Sequence, residues 1–342
     1  MKSILIAMLA CSTAISALNI TSSHAEEVTE TVASFDIRPG NPSVTPDGRI
    51  LVTIHPLIHP STKLVEVTKS GKKKAFPTEE IAVGDTSKLK APLSVRTDDA
   101  GVAWILDLGN KNILGWDTKS NSLVKEIQIP DGVLQPTSFL QDFALDQKRN
   151  RIIIADMTQG DLKSAAIPAF VSVDLETGKA RRVAESHQAL MPEKEGGFAL
   201  NPITIDPDYQ WVYFGAMHGR KLYRVPAESF DGNAENVGNS IEFYGPKPFS
   251  DGITVDTAGN VYITDIEESA IGVTNNSSYK VLSHLPENQS WPDGMAFGPD
   301  GYVYATVNQL DRTAALNNGI EAGSGEYKLV RVKALAKGTT GR

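Results

Sequence analysis

Residues 253–265 read ITVDTAGNVYITD and residues 295–307 read MAFGPDGYVYATV. Each is a short apolar segment, a polar turn and then a strand rich in aromatic and β-branched residues, the pattern of a β-hairpin. The phrase occurs four more times, as PSVTPDGRILVTI (42–54), LSVRTDDAGVAWIL (93–106), FALDQKRNRIIIA (143–155) and ITIDPDYQWVYFG (203–215). The last apolar residues before the turns are Val44, Val95, Leu145, Ile205, Val255 and Phe297, separated by 51, 50, 60, 50 and 42 residues. Further strand–turn–strand phrases such as AFVSVDLETGKARRVAES (169–186) lie between them. Two hairpins per unit make a four-stranded blade, so the expected fold is all-β, a six-bladed β-propeller. A β-sandwich or jelly roll does not need one phrase to return at regular intervals, and a β-helix needs far shorter repeats. The segment EYKLVRVKAL (326–335) is expected as an outer strand where the two ends of the chain complete one blade.

Residues 1–25, MKSILIAMLACSTAISALNITSSHA, hold one Lys, an apolar run from Ile4 to Leu18 and a small-residue end at Ser23 and Ala25. That is the pattern of a cleaved signal peptide, leaving residues 26–342 as a single propeller domain, secreted or periplasmic. The run is short for a membrane span, and no membrane association is expected once the signal is removed. Met8-Leu9-Ala10 before Cys11 is a poor lipoprotein signal. Cys11 is the one cysteine of the chain, so a disulfide framework and a thiolate zinc site are excluded. A net charge of −8, from 33 Lys+Arg against 41 Asp+Glu, provides no basic surface for nucleic acid. A small-molecule ligand or substrate is the expected partner.

A propeller turns a repeat position into a ring, because the inner strand of every blade starts near the central channel. Four residues before the aligned apolar positions stand Gly40, Ala91, Gln141, Asn201, Asp251 and Asp293. Asp107, Asp156 and Asp265 end the returning strands on the same face, and His55, His218 and Asn308 fall in the adjoining loops. Asn201, Asp251 and Asp293 are the candidate metal ligands, with Gln141 and Asn41 beside them, because Ca²⁺ prefers carboxylate and amide oxygens. For each residue alone the alternative is turn shaping, since Asp and Asn at strand ends often bond nearby backbone N–H groups. Asp251 or His55 is the candidate for activating water. Pro56 and Pro60 argue against a helical metal pair at His55 and His59. Serine-hydrolase, phosphate-loop and dinucleotide motifs are missing from the sequence.

At RPGNPSVTPDGRILVTIHP, LQDFALDQKRNRIIIAD, SDGITVDTAGNVYITDIEESAIG and WPDGMAFGPDGYVYATVNQLDR the chain resembles the bacterial branch of the major royal jelly/yellow protein family. The resemblance implies a six-bladed propeller and says little about chemistry, since members include structural, amine-binding and pigmentation-linked proteins. More distantly the chain is similar to the gluconolactonase/senescence-marker propellers, metal-dependent lactone hydrolases. That similarity implies metal ligands at Asn201 and Asp251 and a substrate contact at Gln141. It departs at Gly40, where those enzymes carry a Glu. Two functions follow: a metal-assisted hydrolase of lactones or small esters, with Ca²⁺ as the cation, or a non-catalytic binder of a small cationic ligand such as an amine.

Overall fold

The computed structural model describes residues 28–342. The signal-peptide expectation for residues 1–25 lies outside the described residues. Six antiparallel sheets of four strands surround a channel, with their inner strands in contact around the whole ring. From blade 1 to blade 6 the inner strands are Pro39–Val44, Pro92–Thr97, Leu140–Asp146, Leu200–Ile205, Ser250–Val255 and Pro292–Phe297. The first residues of these strands mark the upper mouth of the channel, and the hairpin turns that follow them mark the lower mouth.

The repeated turn has a local cause. Asp98, Asp206 and Asp256 each accept hydrogen bonds from the backbone N–H groups of their own turn, at 2.6–3.0 Å. For Asp98 and Asp256 an aromatic residue on the returning strand completes the arrangement. Trp104 Nε1 donates to Asp98 at 3.0 Å, and the Tyr262 hydroxyl donates to Asp256 at 3.0 Å. The carboxylate thus satisfies donors that the tight turn leaves without a strand partner.

Blade 6 joins the chain ends, but not as expected. The segment around Tyr327–Lys333 is its third strand, and the outermost strand is Glu30–Phe35, paired from Glu30↔Arg331 to Phe35↔Tyr327. The cross-strand pairing is supported by Arg331, which reaches Glu30 at 2.8 Å.

The aligned residues are equivalent in five blades. Val44, Leu145, Ile205, Val255 and Phe297 pair with Ile50, Ile152, Val212, Val261 and Val303 at matching registers. In blade 2 the place belongs to Thr97, paired with Ala103, and Val95 sits two residues earlier. An alignment on apolar residues passes over a polar Thr, and a two-residue slip leaves the strand face unchanged. The residue one step along the blade-2 strand is therefore Leu93, and Ala91 lies outside it.

Every inner strand carries a β-bulge near the upper mouth. In blades 1, 4, 5 and 6 the register shifts over three residues, as between Ser250 and Ile253. In blades 2 and 3 it shifts over two, between Pro92 and Ser94 and between Leu140 and Asp142. A bulge re-aims the side chains beside it. Between blades the core is apolar, as where Phe170 meets Phe214 edge to face at 4.9 Å, a contact between blades 3 and 4. Burying each ring contributes roughly 2 kcal/mol or more. Among the described residues no helix is long and apolar enough to cross a membrane.

Candidate functional site at the upper mouth

The upper ends of blades 4, 5 and 6 bring Asn201, Asp251 and Asp293 together, as the repeat offset requires. Asn201 Nδ2 donates to Asp251 Oδ1 at 2.6 Å. Trp291 Nε1 donates to the other oxygen, Oδ2, at 2.7 Å. Asn308 Nδ2 donates to Asp293 Oδ2 and, at 3.1 Å, to the Pro39 carbonyl. Its amide oxygen is buried and has no partner among the described residues. Asn41 belongs to the same cluster, with its side chain against the backbone of Gly294.

Close approach of the inner strands explains the Asp-Gly pairs of SDGITV and PDGMAF. A Cβ on Gly252 would stand 2.2 Å from the Asp293 carbonyl oxygen, and one on Gly294 would stand 1.9 Å from Asn41 Oδ1. Any side chain at either position would force these strands apart. Gly40 is confined by one side-chain atom, since a Cβ there would lie 2.5 Å from Thr53 Oγ1 while the nearest backbone atoms stand at 3.5 Å. A larger side chain at position 40 would have to displace the Thr53 hydroxyl from its bonds to Asn41 N–H and the Leu93 carbonyl.

Below this cluster Arg96 of blade 2 crosses the channel. Its guanidinium pairs with Asp142 of blade 3 and approaches the carbonyl oxygens of Pro42 and Met295, on blades 1 and 6, at 3.4 Å. Asp142 also accepts from the Ser94 hydroxyl and, at 2.8 Å, from Phe143 N–H. Both side chains of the ion pair are buried. Arg96 and Asp142 were not among the expected site residues. The early bulge in blade 3 turns Asp142 to the axis in place of Gln141, whose amide instead lies 3.9 Å from Met157 sulfur. Trp291 was also missed, although it directly precedes the Pro-Asp-Gly phrase.

Three carboxylates and one guanidinium therefore share the upper channel. Burial pushes Asp251 up to about 6, with a smaller push from the charge of Asp142, while the bonds from Trp291 and Asn201 act the other way. Burial holds Asp293 well above the usual carboxylate range, and the negative charge of Asp251 adds to the shift. Asp142 is raised by burial against the attraction of Arg96.

The remaining candidates are occupied elsewhere. Asp107 accepts from the backbone N–H groups of Lys90, Ala91 and Gly109 at 2.7–3.0 Å. Asp156 accepts from Phe139 N–H at 2.9 Å, Thr158 N–H at 3.1 Å and the Arg182 guanidinium at 2.5 Å. Asp265 accepts from Glu267 and Glu268 N–H groups and from the Tyr279 hydroxyl at 2.7–3.0 Å. All three are turn-shaping carboxylates at equivalent strand ends. His55 is buried, and its Nδ1 accepts from Leu57 N–H at 3.2 Å, capping a short 3₁₀ turn. Burial, then the Arg38 charge, lower it to about 4, so the ring is neutral at pH 7. His218 Nδ1 accepts from Phe198 N–H at 2.7 Å, and its ring stacks on Phe198 at 5.4 Å. It too is lowered to about 4, by burial first and then by the Lys194 and Lys247 charges.

An apolar cluster of Met217, Trp291 and Leu310 lies by the acidic residues, with Leu57, Phe198 and Ile266 packed against it. For a divalent cation, the donor chemistry fits: two carboxylates and the amides of Asn41 and Asn201 are hard oxygen ligands, and the Asn308 oxygen beside them lacks a donor. Among the described residues, however, no group of three or more His, Cys, Asp or Glu is arranged to hold a metal.

The sequence model of the family described as Major royal jelly protein matches residues 93–340. No curated protein matches the chain in sequence. Among solved structures, the calcium-binding protein regucalcin from Agrobacterium tumefaciens superposes with a TM-score of 0.61 at 16% identity, covering 92% of this chain and 98% of that one. A catalytically inactive virginiamycin B lyase from Staphylococcus aureus, solved with quinupristin, gives a TM-score of 0.51 at 15% identity, covering 86% of this chain and 80% of that one. At these identities the likeness is one of fold.

Proposed function

This chain belongs to the major royal jelly protein family, and we propose that it is an exported propeller that binds a small cation at its upper mouth. The observation that carries this reading is the pair Asp251 and Asp293, buried side by side on adjacent inner strands, whose hydrogen-bond partners among the described residues are the neutral Asn201, Trp291 and Asn308. Arg96 is ion-paired with Asp142, and its charge offsets only a lesser part of the raising of Asp293. Two ionised carboxylates in a desolvated site repel each other, and a bound cation relieves both the burial and the repulsion. Asp251, Asp293 and Asn201 would hold a divalent ion, Ca²⁺ first, with Asn41 and Asn308 supplying amide oxygens nearby. The flexible coordination of Ca²⁺ suits a site with only two carboxylates, because water fills the vacancies. That regucalcin is called calcium-binding agrees with this reading.

A bound divalent cation could also polarise a lactone or ester carbonyl. The groups around it favour binding over hydrolysis: Asp251 is held on both oxygens by Asn201 and Trp291, and His55 Nδ1 is engaged by the backbone. A second reading, a small organic amine as the cation, draws on the Trp291 indole and the apolar cluster around it. The acidic balance of the chain favours such small cations over nucleic acid as partners.

The test is thermal unfolding of the purified protein with EDTA, with Ca²⁺ and with a primary aromatic amine, alongside a metal analysis and a lactone hydrolysis screen. Ca²⁺ should raise the midpoint of the wild type, by an amount set by mass action, and leave Asp251→Asn unmoved. A midpoint indifferent to Ca²⁺ and EDTA, in protein free of metal, overturns the Ca²⁺ site. A response to the amine alone moves the function to the second reading. Ca²⁺-dependent lactone turnover would make it an enzyme.

A further inference from the structure

Residues 338–342 run across the lower mouth of the channel. Gly338 pairs with Asp256 and Thr340 with Phe297, the Gly341 carbonyl accepts from Thr97 N–H at 3.3 Å, and the Arg342 carbonyl accepts from Phe297 N–H at 2.8 Å. The Thr254 hydroxyl donates to the same carbonyl at 2.9 Å. These bonds to blades 2, 5 and 6 fix where the Arg342 side chain begins.

That side chain reaches blade 4. Its guanidinium lies over the Tyr209 ring at 4.4 Å, and Nη2 donates to the Tyr209 hydroxyl at 3.1 Å. Arg342 is only 3% exposed, yet Nε and Nη1 have no acceptor. On the blade-3 turn at the same mouth, Gln147 uses its amide oxygen to accept from Asp99 N–H at 3.1 Å, and its Nε2 is also buried without an acceptor. Among the described residues six buried side-chain atoms lack a partner, and three of them are these donors. Unsatisfied buried donors are costly, most of all on a charged group, and their concentration at one place calls for an acceptor.

Asp99 and Asp206 are close enough to act on Arg342 electrostatically, but neither is within ion-pair distance of it. A cavity of about 460 Å³ opens at this mouth, lined by Asp99, Thr257 and the 337–340 segment that leads into Arg342; Arg342 and Gln147 themselves are not among its lining residues. Lys337 brings a second cation to the approach, and the threonines bring hydroxyl donors. The buried Arg96–Asp142 pair lies on the inner strands of blades 2 and 3, between this mouth and the acidic cluster above.

We infer that the lower mouth is a binding site for a small oxyanion, a phosphate or a carboxylate, seated on Arg342 and Gln147 and entering past Lys337. The site is independent of the cation proposed above. Its orphan donors mirror the orphan acceptor, Asn308 Oδ1, at the other end of the channel. The ligand must be small, because Asp99 and Asp206 border the site and would repel an extended polyanion.

The experiment is isothermal titration of the intact protein with inorganic phosphate and, separately, with acetate, at constant ionic strength in chloride. Saturable binding of either is expected, and which one binds identifies the source of the oxyanion. Arg342→Met should abolish the binding. Gln147→Glu, which keeps the acceptor for Asp99 N–H while placing a carboxylate against the ligand, should weaken it about tenfold or more. Asp99→Asn should tighten it. The Gln147 and Asp99 variants keep the test valid if Arg342→Met does not fold. Absence of saturable binding of both anions by the wild type, or binding that ignores Gln147→Glu and Asp99→Asn, overturns the site and leaves the donors to water.

Discussion

The indole N–H of Trp291 donates to Asp251 Oδ2 at 2.7 Å, from a residue whose own backbone is left-handed at φ 55°. A bulky residue rarely accepts that conformation, so the surrounding structure must impose it. What the arrangement secures is a donor on the carboxylate oxygen that Asn201 does not reach. Trp291→Phe keeps the ring and removes the donor. Asp251 should then titrate above its present value of about 6, and Ca²⁺ binding at pH 7 should weaken several-fold. Carboxyl titration by NMR and a Ca²⁺ isotherm on the same variant check both halves.

Asp142→Ala should be among the most damaging substitutions in the channel. It leaves the Arg96 guanidinium buried, with only long contacts to carbonyl oxygens. The expected loss is about 3–5 kcal/mol, measured by urea denaturation. The double variant Arg96→Met/Asp142→Leu should recover much of that loss, because both charges leave together.

Gly252→Ala tests the close approach of blades 5 and 6. Its Cβ would meet the backbone oxygen of Asp293 at 2.2 Å, an atom that can move only with its strand. A loss of about 1–3 kcal/mol is expected from overpacking, together with weaker cation binding as Asp293 shifts. An alanine at Gly132, where nothing lies within 4 Å, is the matched control and should be near neutral.

The pH dependence of stability should contain opposing contributions. His55 is lowered to about 4 from 6.5. The unfolded chain therefore binds its proton first, and the stability present above pH 6.5 is lost as pH falls toward 4. Asp251 is raised to about 6 from 3.8, so its contribution is present below 3.8 and is lost as pH rises through 6. His55→Asn, which keeps a side-chain acceptor for Leu57 N–H, should match the wild type less well at pH 7 than at pH 4.5. The acid-side gain is at most about 3 kcal/mol. Asp251→Asn should show the reverse trend in the absence of metal, and thermal midpoints across pH 4–7 read both.

Removal of residues 30–35 should uncouple blade 6. The strand Tyr327–Lys333 would lose its outer partner and expose an edge, and the apolar cluster beneath would lose Ala33 and Phe35. A lower midpoint and concentration-dependent association by light scattering are expected, with adding back the strand as a peptide restoring the midpoint.

Much of this architecture is written locally. The recurring hairpin phrase, with its turn carboxylate and, in blades 2, 5 and 6, an aromatic donor on the returning strand, specifies six blades because every element of it acts within one hairpin. The offset along that phrase also selects Asn201, Asp251 and Asp293, since blades 4, 5 and 6 share one bulge position. Tertiary structure decided the rest. A one-residue difference in bulge position reverses which side of a strand faces the axis, and it put Asp142 rather than Gln141 into the channel. Where a bulge falls depends on how neighbouring inner strands fit together, which no single segment encodes. Arg96 and Trp291 enter the site by reaching across to other blades, and Glu30–Phe35 closes the ring on a strand about 300 residues away. Asp107, Asp156 and Asp265 look like site residues in sequence, and only the folded hairpins reveal that their oxygens are already taken by backbone N–H groups.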